Sequence, residues 1–332
     1  MLLAIVKQAY EYTVLASDSD NDAIEFTLET APAGMSIDNL TGEINWTPDT
    51  TQVGDHSVII KATDAQGGED TQSFTITVTP KVDTGLPDDL ESVASPLSTT
   101  EITTLNDAVA FLYQGSNPIQ TGMSAATIIE KRVAIIRGTV LSRDNAPLTG
   151  VTVTIKGHAE FGQTLSRVNG MFDMVVNGGG TLTVNYEKTG YLPVQRKVTT
   201  SWNDYAIADD IVMIALDSKV TTINVDNSTE MQVAQGTVQT DKDGSRQATL
   251  FFPQGTNATM IYPSGFKHVL TSINVRATEY TEGENGFEAM PGSLPPTSAY
   301  TYAVELSVDE AITAGATRVE FSQAIPFYVD NF

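Results

Sequence analysis

Apolar and polar residues alternate along most of this chain, and that period of two constrains its fold more than any other feature. Side chains of a β-strand point to opposite faces in turn, so an alternating segment buries one face and exposes the other. Turn residues (Gly, Asn, Asp and Pro) separate these segments about every ten residues, as in β-sandwiches. The pattern predicts an all-β protein. The alternating segments are YTVLA, IEFTLE, HSVIIKATD, SFTITVTP, VTVTIKG, LTVNYEK and YTYAVELSV.

A chain of 332 residues is longer than one hydrophobic core usually organises, so we expect tandem sandwich domains. The predicted organisation is a first sandwich, a linker with one short helix, a second sandwich and a third sandwich. We expect the first domain to be clipped at its N-terminus and the last at its C-terminus. The predicted ranges are 1–80, 81–132, 133–217 and 218–332.

The helix is predicted in TTLNDAVAFLYQG, where Thr104 can form a capping box with Asp107. The segment before it is polar, acidic and proline-bearing, which is typical of a linker. A second, weaker linker is predicted at residues 217–226.

Composition and motifs exclude several functions. A formal net charge of -23 argues against nucleic acid or anionic lipid as a partner. No apolar run is long enough to span a bilayer. The absence of cysteine excludes disulfides and thiol nucleophiles. His158, Glu160 and His56 are the nearest approach to a zinc site, but their spacing is not that of a zinc motif. We find no catalytic motif and expect no enzyme activity.

The stretch SDSDND, residues 17–22, is a candidate metal site because calcium prefers clustered carboxylate and carbonyl oxygens. An EF-hand is rejected, since Ala23 stands where that loop requires glycine and the flanks alternate like strands. YTVLASD and VIIKATD both end an apolar strand in aspartate, so Asp18 and Asp64 are expected at one pole of the sandwich. The alternatives are a calcium site and a solvated acidic turn.

The first domain contains the motifs APAGM, TGEINWTP, VG and ATDAQGG. In these motifs it resembles the cadherin-like, dystroglycan-type immunoglobulin-like domains of bacterial surface proteins. Trp46 and Ile44 share one strand face and are expected to fill the interior, while Gly42 and Gly54 are expected in turns. The resemblance implies calcium at acidic positions of such modules. The candidate ligands are Asp18, Asp20, Asp22 and Asp64, with Asp70 as a further candidate.

The second domain contains Gly138 before a strand, Pro147 and Gly150-Val151 at a turn, the NGMF hairpin at 169–172 and KTGY at 188–191. In these residues it is similar to the carboxypeptidase regulatory-like, transthyretin-type sandwich. In that family the module accompanies a catalytic domain and does no chemistry.

Residues 100–332 contain the motifs FLYQGSNPIQTG, GHAEFGQTLSRVNGMFD, NYEKTGYLPVQRKV, ATEYT and PFYVDNF. In these motifs they resemble the region that precedes the shell in Rhs/YD-repeat (teneurin-like) proteins. It implies a non-catalytic, calcium-stiffened spacer in a large secreted or cell-surface bacterial protein, which docks against the remainder of the same polypeptide. The alternative is an adhesin-type module that binds a glycan or a surface protein.

Overall fold

The computed structural model describes residues 2–20, 22–80, 84–94, 96–97, 100, 102–115, 117–225, 230–241, 244–280, 286–292 and 302–329. The chain forms two compact units, Met1–Ala94 and Ser95–Phe332.

The N-terminal unit is a sandwich of two sheets. One sheet has the order β1-β7-β6-β3 and the other has the order β2-β5-β4. β1 runs parallel to β7, with Leu2 opposite Ile76. The strands are β1 (Leu2–Ile5), β2 (Tyr10–Thr13), β3 (Ile24–Thr30), β4 (Ser36–Ile37), β5 (Glu43–Trp46), β6 (Gly54–Asp64) and β7 (Glu69–Thr79).

Alternating residues of these strands form the core between the two sheets. Ile44 and Trp46 are both buried in it, as predicted, and the Trp46 indole N–H donates to the Ala33 carbonyl at 3.2 Å. Gly42 has a φ of +70°, and a Cβ there would lie 2.7 Å from the Val14 carbonyl oxygen. Glycine is therefore required for this turn to pack against the strand.

Two short helices follow, α1 (Leu90–Val93) and α2 (Leu105–Val109). The predicted capping box is present in α2: the Asp107 N–H donates to the Thr104 hydroxyl, and the Asp107 carboxylate accepts from the Thr104 N–H. A 3₁₀ turn, Ala110–Leu112, continues α2, and Val109 and Leu112 are buried.

The middle sandwich consists of one sheet in the order β10-β9-β12-β13 and a second in the order β11-β8-β14, with β15 also paired to β8. Its core is dense, and Phe172 and Tyr186 form an edge-to-face pair at its centre. The strands are β8 (Val133–Ser142), β9 (Thr152–Ile155), β10 (Gln163–Leu165), β11 (Met171–Asn177), β12 (Gly180–Glu187), β13 (Val194–Thr200), β14 (Asp204–Ile207) and β15 (Ile211–Met213).

The third sandwich has three small sheets, ordered β16-β23-β24, β17-β20-β26 and β22-β21-β25, and a hairpin β18-β19. One core holds side chains from all three sheets. The elements are β16 (Thr221–Asn224), β17 (Gln232–Gln235), β18 (Gln239–Asp241), β19 (Gly244–Arg246), β20 (Ala248–Phe252), β21 (Ala258–Ile261), β22 (Lys267–Leu270), β23 (Ser272–Glu279), α3 (Gly286–Ala289), β24 (Val304–Val308), α4 (Asp309–Thr313), β25 (Arg318–Phe321) and β26 (Phe327–Val329).

The all-β prediction is confirmed, with differences at the edges of elements. The predicted strand YTVLA ends at Thr13, and Leu15 beyond it is 91% exposed. The predicted linker at 217–226 contains β16, which pairs with β23 and so belongs to the third sandwich. Within the range 81–132, Ile119 and Gln120 are buried against the middle sandwich. The three boundaries between the four predicted ranges stay predictions.

Candidate functional site

The acidic loop of the N-terminal unit is organised around Asp18. Its Oδ1 accepts the backbone N–H of Asp20 at 2.8 Å and that of Asp22 at 3.0 Å. Aspartate commonly binds backbone N–H groups two residues onward in this way, forming an Asx turn. The Asp18 carboxylate therefore holds the loop in shape.

Asp64 organises a second turn in the same manner. Its Oδ1 accepts the N–H of Gln66 and the N–H of Gly68, both at 2.8 Å. The register of β3 and β6 places Ile24 opposite Asp64, so both acidic turns lie at one end of this sheet. Among the described residues, no group of three or more Asp, Glu or His side chains is close enough to hold a metal ion.

The histidines have local partners. His158 Nδ1 lies 2.8 Å from Glu160 Oε1 on an exposed loop, and this hydrogen bond is the main cause that lowers the pKa of Glu160. His56 Nε2 lies 2.7 Å from the Gln52 carbonyl oxygen, and its ring packs edge-on against Trp46.

The most extensive set of contacts among the candidate sites lies where the middle and third sandwiches meet. Leu192, Val212 and Ile214 of the middle sandwich form one buried apolar cluster with Tyr280, Ala289 and Met290 from the third. Burial, with a smaller effect of the Glu305 carboxylate, raises the pKa of the Tyr280 hydroxyl. The two sandwiches thus share a small core of their own at this junction.

Arg196 on β13 clamps the segment that contains α3. Its guanidinium donates to the carbonyls of Glu288 at 2.7 Å and Met290 at 2.8 Å, at the C-terminal end of that helix. The Gln195 N–H donates to the Pro291 carbonyl at 2.9 Å, so the main chain pairs there too. Burial lowers the pKa of Arg196. The edge of β13 is therefore covered by a segment of the third sandwich.

Asp217 lies between the two sandwiches and forms hydrogen bonds through both its side chain and its main chain. Its carboxylate accepts the Thr237 N–H at 2.6 Å and the Thr237 hydroxyl at 2.5 Å, while its own N–H donates to the Thr278 hydroxyl at 2.9 Å. The Arg276 guanidinium donates to the Asp217 carbonyl and pairs with both oxygens of Asp309. These bonds fix the direction in which the chain enters the third sandwich.

A buried ion pair completes the junction. Arg246 and Glu279 are 3% and 4% exposed, and their Nε and Oε1 atoms are 2.5 Å apart. Arg143, which follows β8 of the middle sandwich, donates to the Glu279 carbonyl at 2.5 Å and to Gln239 Oε1 at 3.4 Å. Arg246 and Glu279 both belong to the third sandwich, so the bonds that cross the boundary here are the two that Arg143 donates.

Strand parity in the sequence indicates that two of these residues, Glu279 and Arg196, are buried. In β23, Glu279 has the parity of the buried residues Ile273, Val275 and Ala277. In β13, Arg196 has the parity of the buried residues Val194 and Val198. A charged residue on the apolar face of an alternating strand predicts a buried polar contact.

An exposed aromatic surface lies on the middle sandwich. Trp202 is 59% exposed and Tyr205 is 42% exposed. The guanidinium of Arg132 lies 5.8 Å from the Trp202 ring centroid, and that of Arg137 lies 5.2 Å from the Tyr205 ring centroid. Each ring therefore has a cation–π contact with an arginine and is partly exposed to solvent.

Among the described residues, no helix has the length and apolar character needed to cross a membrane.

Two family models match the chain. Residues 128–213 match the teneurin TTR-like domain, and residues 3–79 match a putative Ig domain. The first match covers the middle sandwich, and the second covers β1 to β7.

Curated relatives of the chain are teneurins. Teneurin-3 of Mus musculus is 33% identical over 132 residues, which are 39% of this chain and 5% of that protein. Teneurin-1 of Gallus gallus is 36% identical over 95 residues, 29% of this chain and 4% of that protein. Teneurin-3 of Danio rerio is 42% identical over 81 residues, 24% of this chain and 3% of that protein. The chain spans about a twentieth of the length of these relatives.

Likeness to solved structures is low. The 3-chlorocatechol 1,2-dioxygenase from Rhodococcus opacus 1CP has a TM-score of 0.24 and 11% identity, covering 30% of this chain and 66% of that one. Human protocadherin-24 EC1-2 has a TM-score of 0.21 and 12% identity, covering 63% of this chain and 95% of that one. TM-scores and identities this low support no argument about fold or activity. The chain therefore contains a region similar to the teneurin TTR-like domain and a region similar to an Ig domain.

Proposed function

We propose that this chain is a stiff structural segment of a large secreted or cell-surface bacterial protein, in which the middle and third sandwiches act as one block. The observation that carries the proposal is the junction, where an apolar cluster and the Arg196 clamp join the two sandwiches. A flexible pair of domains would need neither a shared core nor a buried ion pair at the boundary.

Distance measurement between spin labels tests the stiffness. The chain lacks cysteine, so Lys197→Cys in the middle sandwich and Ser264→Cys in the third introduce two unique label sites, both exposed. We expect a distance distribution as narrow as that of a control pair within the middle sandwich, Asp144→Cys with Lys197→Cys. Adding Arg196→Ala should broaden the first distribution and leave the control unchanged. A distribution that is already broad without Arg196→Ala would contradict the proposal.

The proposal includes docking of this block to a YD-repeat shell in the same polypeptide. Its support is the similarity of residues 128–213 to a teneurin domain. The sequence of the complete gene tests it: we expect YD repeats after residue 332, and a gene without them would rule out this docking.

The proposal also includes calcium at Asp18, Asp20, Asp22 and Asp64. It is supported by the density of acids in one loop and by the location of both acidic turns at one end of the sheet. A bound cation would offset the repulsion between these carboxylates. It would stiffen the N-terminal unit by ordering the loop.

Thermal unfolding of the full chain with calcium or with chelator tests this site. In the variant Trp202→Phe, Trp46 is the one remaining tryptophan and reports on the N-terminal unit alone. Calcium at a hundredfold excess over Kd should stabilise that unit by about 2.7 kcal/mol. Asp18→Asn with Asp64→Asn should abolish the gain. The same melting temperature with calcium and with chelator would remove the metal from the proposal.

The second candidate function is an adhesin-type module, and the exposed rings of Trp202 and Tyr205 favour it. Exposed aromatic rings can contact a sugar or a protein surface. Glycan-array binding of the full chain, compared with Trp202→Ala, tests this function. A signal that Trp202→Ala removes would support it, and no signal on any glycan would remove its carbohydrate form.

A further inference from the structure

One side of the middle sandwich is closed by residues 119–129, which form neither a helix nor a named strand; we call this segment the edge strap. β10 and β11 are edge strands of the two sheets. Edge strands carry unpaired backbone N–H and C=O groups that can pair with another chain. Most of the edge strap lies before residue 128, where the match to the TTR-like domain begins.

Gln120 pairs with β11 as a neighbouring strand would. Its Oε1 accepts the Val175 N–H at 2.6 Å, and its Nε2 donates to the Val175 carbonyl at 2.9 Å. The same Nε2 donates to the Phe161 carbonyl at 2.7 Å. An amide side chain offers two donors and one acceptor, so Gln120 satisfies both main-chain groups of Val175. It is 1% exposed, so water does not compete for these bonds.

The next residue of the edge strap pairs with β10 through its main chain. Thr121 and Gln163 exchange two backbone hydrogen bonds, each of 2.8 Å. Gly162 permits this approach, since a Cβ there would lie 2.1 Å from the Thr121 carbonyl oxygen. At the far end, Asn177 accepts the Ile129 N–H and donates to the Thr127 carbonyl, both at 2.8 Å.

From these contacts we infer that the edge strap is a substitute edge strand that blocks strand addition on this side of the middle sandwich. It contacts the edges of both sheets at adjacent residues, Gln120 for β11 and Thr121 for β10. A regular strand could extend only one of the two sheets. The irregular edge strap covers the edges of both sheets. Because a side-chain amide forms the bonds to β11, the edge strap presents no regular main-chain ladder to which a further strand can pair.

Hydrogen exchange in the full chain tests the strap directly. In Gln120→Ala the Val175 N–H loses its acceptor, and we expect its exchange to become roughly tenfold faster, a ratio equal to about 1.4 kcal/mol. This lies within the range for a buried group left unpaired. Val184, on the interior strand β12, should change far less, which shows that the sandwich remains folded. Unchanged exchange at Val175 would overturn the inference.

A matched glycine pair tests edge protection without altering Gln120. Gly162 and Gly157 both have positive φ values, +66° and +77°, and Gly162 has a ψ of −139°. A Cβ at Gly157 meets nothing within 4 Å, whereas one at Gly162 meets the edge strap. Light scattering over a range of concentrations should show more self-association for Gly162→Ala than for Gly157→Ala or the unmodified chain. Equal self-association in all three would contradict edge protection.

Discussion

The two units bury different kinds of side chain. Among the described residues, every polar or charged residue that is buried belongs to the C-terminal unit, Ser95–Phe332. The buried residues of the N-terminal unit are apolar. Hydrophobic burial is non-directional, and a single sandwich can be stabilised by it alone. Holding one sandwich in a fixed orientation on another requires directional bonds, which Arg196 and Arg143 donate from the middle sandwich to main-chain carbonyls of the third.

Among the substitutions that test this comparison, Glu279→Ala is expected to cause the largest loss in the free energy of unfolding. The change leaves the Arg246 guanidinium buried without its counter-charge, and such losses typically cost about 3–5 kcal/mol. Urea unfolding of the C-terminal unit, followed by Trp202 fluorescence in a Trp46→Phe background, measures it. The double variant Arg246→Met with Glu279→Leu is the control, because replacing both charges removes the unpaired ion. If the double variant lost as much free energy of unfolding as Glu279→Ala, the pair would stabilise the unit through side-chain shape and not through charge.

A core deletion is expected to have the largest effect in the N-terminal unit. Ile44 is fully buried between the sheets. Ile44→Ala should lower the free energy of unfolding of that unit by about 2–5 kcal/mol, from lost burial and the cavity left behind. Trp46 fluorescence in urea measures the change. Leu40→Ala is the control, since Leu40 is 71% exposed and should be close to neutral. Similar losses for both variants would contradict an apolar core centred on Ile44.

A smaller loss in the free energy of unfolding is expected from a change at the N-terminus of α2, which precedes the edge strap in the chain. Thr104→Ala removes the side chain that accepts the Asp107 N–H and should cost about 1 kcal/mol. Thr104→Ser retains the hydroxyl and should be near the unmodified chain. Urea unfolding followed by Trp202 fluorescence reports both. A serine variant as destabilised as the alanine variant would show that the cap hydrogen bond is not the cause.

The smallest effect is expected from a surface ion pair of the N-terminal unit, Lys61 with Glu69. The Glu69 carboxylate raises the pKa of Lys61, mainly through their hydrogen bond, but both groups are reached by water. Exposed pairs contribute little because solvent screens them. Lys61→Met should leave the urea midpoint of this unit almost unchanged in both low and high salt. A loss comparable to that of Ile44→Ala would reverse the comparison between the two units.

Strand pattern was sufficient to predict much of the fold. The burial of Ile44 and Trp46 follows from their parity, and the Thr104 capping box follows from residue spacing; both are confirmed. Hairpin turns such as that at Gly170, with a φ of +77°, are likewise local features.

Contacts between distant segments could not be predicted in this way. Gln120 lies in a segment without strand or helix periodicity, and its role depends on meeting Val175, 55 residues later. Asp18 and Asp64 were predicted to lie at one pole of the sandwich, and they lie at one end of a sheet, but each binds the N–H groups of its own loop. Whether they also bind calcium stays a prediction.

The central claim is that the middle and third sandwiches form one cooperative block. Native-state hydrogen exchange of the full chain in increasing urea tests it most directly, through the amides of Val184 in β12 and Val275 in β23. We predict that both amides lose protection at the same urea concentration, and that the Ile60 amide of the N-terminal unit loses protection at a different one. Separate midpoints for Val184 and Val275 would contradict the account.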